Sequence, residues 1–265
     1  MNISVSSLGF SAHPIYSMGN LPPELGIEIF YEWGAETYWE LALTEIMRGR
    51  TGKFSIHAPY QGEITEMSLT PRVDEMIQYL KQPFHLYHKF GGDGYVVHMN
   101  APYATTPNPA EKAERLKRVQ ERLALMNDIC KREGVVMLVE NLAFGSGKKT
   151  LCTQKDFLHL FENNPELNCI IDTGHAVLGD IDIYDIQQAI GSRIKAYHLH
   201  DNDGRDDLHQ RVGAGVIDWK RFGEGAQLYT PNAHFIMEYN ANAVDDIRAY
   251  AEDADKIRLM LDGSE

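Results

Sequence analysis

Cysteine is scarce in this 265-residue chain, with three in all. Cys130, Cys152 and Cys169 are scattered, odd in number and never in C-x-x-C spacing. A disulfide framework is therefore not expected, and structural thiols in a reducing compartment are the simplest reading. Long apolar runs are also missing. Stretches such as Val135–Val139 are far too short to span a bilayer, so no membrane association is expected. The opening "MNISVSSLGF" lacks a basic region followed by an apolar core, which argues against a secretory signal and for a cytoplasmic location. Positive charge is in deficit: 25 Lys and Arg stand against 38 Asp and Glu, a formal net charge of −13. Nucleic-acid binding normally needs a basic face, so a polyanionic partner is disfavoured. Low-complexity stretches and linkers are lacking too, and the expectation is one domain over residues 1–265.

What is present is a rhythm. Short apolar runs rich in β-branched residues alternate with longer segments of helical period. The strand candidates are 3–8, 25–30, 54–57, 95–99, 135–140, 169–173, 194–199 and 234–239. Between them, 109–133 carries Leu116, Val119, Leu123, Met126 and Cys130 on one stripe, with Pro109 suited to a first turn and Gly134 to a stop. Residues 153–163 start at an N-capping Thr153, and 182–191 and 242–261 are further helix candidates. Eight strands with helical crossovers at this length predict a (β/α)8 TIM barrel of the α/β class, with a doubly wound open sheet as the rival. The first link, 9–24, is Pro/Gly-rich and has no convincing helix, so the first outer helix is expected to be short or missing. Pro83 interrupts the segment between the third and fourth strands.

Ionisable residues fall at the C-terminal ends of successive strand candidates: His57, His98, Glu140, Asp172, His198 and Glu238, with His175 just beyond Asp172. One such residue would be an ordinary hydrogen-bonded structural group. A whole series is costly to bury unless paired or bound to a cation. In a closed barrel these ends converge on the rim where barrel enzymes keep their chemistry. Glu140, Asp172, His198 and Glu238 form an oxygen-rich set with one imidazole. It suits one divalent cation, Mn²⁺, Mg²⁺, Co²⁺ or Zn²⁺, which would also offset the repulsion among three carboxylates.

In this order, "HAPY" (57–60), "VVHMN" (96–100), "VEN" (139–141), "IDTGHA" (171–176), "HLHDNDG" (198–204), "DLH" (207–209), "VGAGVIDW" (212–219) and "MEYN" (237–240) resemble the xylose isomerase-like TIM-barrel superfamily. That group holds sugar isomerases and epimerases, inosose dehydratases and endonuclease IV. The resemblance to the epimerase-like branch implies that Glu140, Asp172, His198 and Glu238 hold one divalent metal and that Glu140 and Glu238 double as acid and base. The metal would hold a carbonyl and an adjacent hydroxyl and stabilise an enediolate. His175 would then contact a substrate oxygen, with His57 and His98 also facing the substrate. Resemblance to endonuclease IV implies instead that His57, His98, Glu140, Asp172, His175, His198, Asp207, His209 and Glu238 line a cluster of up to three Zn²⁺. Residue types alone do not separate the branches.

The window "AYHLHDNDGRDDLH" (196–209) divides accordingly. His198 is its metal-ligand candidate. His200 faces the same side if the strand continues, as a supporting or substrate-binding residue. Asp207 and His209 resemble a site-lining pair. Asp201, Asn202 and Asp203 read mainly as turn formers, with Gly204 supplying a permissive backbone. Arg205 is either a substrate contact or an exposed loop residue. "GAG" (213–215) is too short to count as a phosphate loop. Position alone makes Phe10, Trp33 and Tyr60 candidates for an apolar wall, Glu28 a polar lining residue, and His13 and Tyr16 a cover. The expectation is a metal-dependent isomerase or epimerase acting on a small sugar or polyol through two-carboxylate proton transfer. Alternatives are an endonuclease IV-type phosphodiesterase, a keto-polyol dehydratase of the inosose type, and a non-catalytic sugar-binding barrel. Pairing of copies through outer helices is open.

Overall fold

A computed structural model describes residues 1–11, 15–32, 34–100, 107–146 and 150–263. Eight strands run parallel in chain order: β1 (Asn2–Ser6), β2 (Gly26–Phe30), β3 (Phe54–His57), β4 (Gly92–His98), β5 (Met137–Glu140), β6 (Asn168–Asp172), β7 (Ile194–Leu199) and β8 (His234–Met237). Each pairs with its neighbours in sequence, and β8 pairs back onto β1 through Asn2↔His234 to Val5↔Met237. The sheet therefore has no edge, which excludes the open-sheet rival and confirms the (β/α)8 barrel.

The helices are α1 (Glu36–Ile46), α2 (Gly62–Thr65), α3 (Val73–Lys81), α4 (Phe84–Phe90), α5 (Pro109–Arg132), α6 (Gln154–Asn163), α7 (Thr173–Leu178), α8 (Ile183–Ile190), α9 (Trp219–Tyr229) and α10 (Arg248–Asp262). Local chemistry sets their ends. Asn108 caps α5 ahead of Pro109, and Thr153 with Asp156 forms a reciprocal capping box on α6. Asp182 caps α8. Pro83 separates α3 from α4. As expected, no α-helix follows β1 among the described residues; two 3₁₀ segments, Ser7–Phe10 and Ile15–Asn20, stand there. One expectation shifts: α10 begins at Arg248 rather than at residue 242. Asn240 Oδ1 accepts from Asn242 N and Asp246 Oδ1 from Arg248 N, so short polar side chains hold this backbone in turns instead of a helix.

Two apolar layers result. The larger fills the space between the sheet and the helices. The smaller, Val96, Leu138, Ile170, Ala196 and Ile236, is a separate cluster contributed by β4 to β8 and plugs the bore. Strand side chains alternate faces, so the next inward position after each plug residue is two along. Those positions are His98, Glu140, Asp172, His198 and Glu238. The apolar plug thus forms the floor on which the polar rim residues stand. The side of the bore toward β1 to β3 is polar instead, with buried Ser4, Glu28 and Ser55. Near the base, Ser4 Oγ lies 2.6 Å from Nε2 of His234, whose pKa burial pushes down to about 4.

Candidate functional site

At the C-terminal rim the side chains of Glu140, Asp172, His198 and Glu238 are all buried and offer ligand atoms within 4.8 Å of one another. Nδ1 of His198 faces Glu140 Oε1 at 3.4 Å, Glu238 Oε2 at 3.5 Å and Asp172 Oδ2 at 3.8 Å. Each donor arrives from a different strand, so barrel closure alone brings them together.

Two further groups flank this centre. His57 and His98 join Glu140 on one side. Their Nε2 atoms lie 2.9 Å apart and approach Glu140 Oε2 to 3.5 Å and 3.0 Å. That carboxylate oxygen is buried yet has no partner of hydrogen-bond geometry among the described residues. Phe30 stacks on the His57 ring at 4.2 Å between centroids and holds it in place. On the other side stand His175, His200, Asp207 and His209. Asp172 caps α7 by accepting from His175 N at 2.6 Å, so "DTGH" turns from strand into helix and aims His175 back at the rim. His175 Nδ1 reaches Glu140 Oε1 at 3.3 Å, while Nε2 of both His175 and His209 lies 3.3 Å from Asp207 Oδ2. His200 Nε2 lies 2.9 Å from the Asp172 carboxylate, and its ring stacks on His209 at 3.8 Å. His209 sits at φ +46°, a left-handed conformation uncommon outside glycine and typical of constrained sites.

The electrostatics are uneven. Burial acts to raise the Glu140 carboxyl, but His98, His198 and hydrogen bonds from His175 and His198 hold it well below its ordinary value. Burial likewise opposes ionisation of Asp172, yet His175 and His200 bring it down to about 2. Glu238 goes the other way: burial, reinforced by Glu140 and Asp172, raises it against the pull of His198 and His209. His209 is lifted to about 9, because Asp207 and Glu238 outweigh its burial.

This donor set fits a cation. Buried carboxylates at such spacing repel unless a positive charge lies among them, and two imidazole nitrogens with an unpartnered carboxylate oxygen converge on one point. The model for the family described as xylose isomerase-like TIM barrel matches residues 5–260. The chain belongs to this family. Structures with its barrel include a D-tagatose 3-epimerase-like protein, TM-score 0.79 and 19% identity, covering 100% of this chain and 99% of that one. Another is the IOLI protein with a bound zinc atom, TM-score 0.77 and 15% identity, covering 98% of each. By sequence the chain is 25% identical over 200 residues to the uncharacterized protein MJ1614 of Methanocaldococcus jannaschii, covering 74% of this chain and 73% of that one. Among the described residues of this family member, no helix is long and apolar enough to cross a membrane.

The remaining candidates separate. Arg205 is exposed, and its side chain makes no hydrogen bond or ion pair among the described residues; its carbonyl accepts from Ser146 N. Tyr60 lies 5.6 Å from His98, ring to ring, and is partly exposed. Phe10 is buried against Tyr250 and also lines a cavity of about 290 Å³ with Ser7, Phe30, Glu32, Tyr38 and Trp39. Tyr16 is exposed, while His13 and Trp33 lie outside the described residues. Asp203 and Asn202 do form turns, accepting from Arg205 N, Asp206 N and Gly204 N. Asp201 does more than turn the chain. It is fully buried and accepts from Asn202 N, Ile217 N and Trp219 Nε1, tying the loop to α9. In "GAG", a Cβ on Gly215 would meet the Asn202 carbonyl oxygen at 2.0 Å, so this glycine serves close packing of the loop on itself. Glu28 does line the bore, as its position alone suggested. It lies deep in the bore, fully buried, with Oε1 2.8 Å from His198 Nε2. The available signal was a carboxylate in the middle of the apolar strand "GIEIF".

Proposed function

We propose that this chain is a divalent-metal-dependent sugar or polyol isomerase or epimerase that moves a proton between substrate carbon and two carboxylates, Glu140 and Glu238. The carrying observation is their placement: from β5 and from the end of β8 they face one His198 nitrogen at 3.4 Å and 3.5 Å. Their environments push their proton affinities apart, Glu140 down and Glu238 up. Two carboxylates facing one reacting centre can supply one base and one acid to a single step. One of them takes the proton beside a carbonyl, and the other returns one to the opposite face or to the neighbouring carbon. A divalent cation in this group would supply Lewis-acid stabilisation to the carbonyl and adjacent hydroxyl oxygens. Glu140, Asp172, His198 and Glu238 would hold it. His175, with His57 and His98, would bind substrate hydroxyls; apart from the partly exposed His98 the set is buried, which limits access of bulk water to the reacting carbon. Aromatic walls and two serines in the cavity beside Phe30 suit the rest of a small polyhydroxylated substrate.

The test is incubation with a ketose and polyol panel in deuterated solvent, read by NMR. Exchange at carbon by the wild type, abolished in Glu140→Gln and in Glu238→Gln, is the expected result. Near-normal exchange in both variants would defeat the two-carboxylate mechanism. Loss of water from an inosose would move the reaction to the dehydratase class.

A second reading draws on the flanking groups. His57 with His98, and His175 with Asp207 and His209, complete the donor set for up to three zinc ions and a phosphodiesterase acting at abasic sites. The net charge of −13 weighs against it. Three zincs per chain together with nicking of an abasic duplex at low enzyme concentration would favour it.

A further inference from the structure

One buried carboxylate has no part in the proton transfer above. Glu28 is fully buried in β2, with Oε1 2.8 Å from His198 Nε2 and Oε2 accepting from Ser55 Oγ at 2.8 Å. Ser55 is its register partner on β3. The other nitrogen of the same ring, Nδ1, faces Glu140, Glu238 and Asp172. The imidazole therefore bridges two environments, a single carboxylate below and the three-carboxylate group above. A neutral imidazole carries hydrogen on one nitrogen only. An ionised carboxylate accepts but cannot donate, so when a cation takes the place of the proton on Nδ1, Glu28 keeps the remaining hydrogen on Nε2 and the Nδ1 lone pair directed at the rim.

We propose that Glu28 is a positioning residue. It holds His198 in the Nδ1-coordinating tautomer and orientation, and the central group needs it to bind a divalent cation tightly. This rests on the reading of Glu140, Asp172, His198 and Glu238 as a metal centre. Stability alone is a poor reason for the residue. Where the same bore is plugged by Val96, Leu138 and Ile236, an apolar side chain would fill the space without the cost of desolvating a carboxylate. Carboxylate–histidine–metal arrangements raise the basicity of the ligand, and losing the outer partner typically weakens metal binding about 10–100-fold.

The test titrates metal-free protein with Co²⁺, followed by visible absorption and by competition with a chelator. His198→Ala identifies the absorption band that belongs to the central group. Glu28→Gln should bind about 10–100-fold more weakly at that band and shift its position, because an amide is a poorer acceptor. Its far-UV circular dichroism should remain that of the wild type. Ser55→Ala, which removes one bond holding the Glu28 carboxylate, should weaken binding in the same direction by less. Wild-type affinity and an unmoved band in Glu28→Gln overturn the inference. Should Glu28→Gln fail to fold, an unchanged Ser55→Ala overturns it equally. A wild-type protein that takes up no Co²⁺ overturns the metal-centre reading itself, and the inference with it.

Discussion

Removing and restoring the cation gives the sharpest measurement on this barrel. Oxygens of Glu140, Asp172 and Glu238 are buried within 4.8 Å of one another and of an imidazole nitrogen. A cation that binds there only in the folded state stabilises it by RT ln(1 + [L]/Kd), about 2.7 kcal/mol at a hundredfold excess over Kd. For a domain near this size, each kcal/mol moves the midpoint of unfolding by roughly 2–4 °C. Chelator-stripped protein should therefore melt about 5–10 °C higher once Mn²⁺, Co²⁺ or Zn²⁺ is restored. Glu140 offers oxygens to two of the three groups, one toward His57 and His98 and the other toward His198. Glu140→Gln should consequently lose most of the rise. His209→Ala removes a donor of the outer group and none of the central four, although its ring also lies 3.7 Å from Glu238 Oε2, and should keep most of it. Differential scanning calorimetry with inductively coupled plasma analysis of bound metal reads both. A stripped protein whose midpoint no cation raises, or a Glu140→Gln variant with the full wild-type rise, would refute the reasoning.

Other outcomes follow from particular contacts. Glu238→Gln should lower the rate of carbon-bound proton exchange by about 10²–10⁴ while leaving the unfolding midpoint within a few degrees of wild type, as solvent-deuterium exchange and calorimetry would show. Arg211 donates to buried Asp253 at 2.7 Å and 2.8 Å, and Lys256 adds a third bond, clamping the rim loop onto α10. Because both cations are partly exposed, Asp253→Asn should cost about 1–3 kcal/mol at neutral pH. The Asp253 carboxyl lies below its ordinary value despite its burial, through Arg211 and Lys256. Its contribution is therefore full above the unfolded-state value of about 3.9 and is lost as pH falls through the folded-state value. Wild type and Asp253→Asn should thus differ in denaturant midpoint at pH 7 and converge below about pH 4; a constant gap would count against the pair. In Gly174→Ala, the new Cβ would lie 2.0 Å from His200 Cε1. The ring must move off Asp172, so the variant should lose about 1–3 kcal/mol in urea unfolding and weaken metal binding as well; unaltered metal affinity would show that His200 does not support the site.

The chain by itself carries a good deal of this. Strands alternate strictly, so "VVH", "LVE", "IID", "AYH" and "IME" already say which side chains face inward and how high they stand. A polar residue one inward step above an apolar one is readable in one dimension, and so are the caps at Asn108, Thr153 and Asp182. Neighbours around the barrel are not readable in that way. That Glu140 is shared between two groups depends on the stagger between strands, while the packing of His200 on His209 and the tie from Asp201 to α9 depend on how the segment after β7 folds back on itself. Stagger is a property of closure, set by all eight pairings at once. Glu28 shows the division most plainly. Its burial could be inferred from "GIEIF", but its partner stands 170 positions further along the chain. Periodicity along one strand settles face and height; only the closed sheet decides which residues meet across the bore, because that angle is determined between strands and never within one.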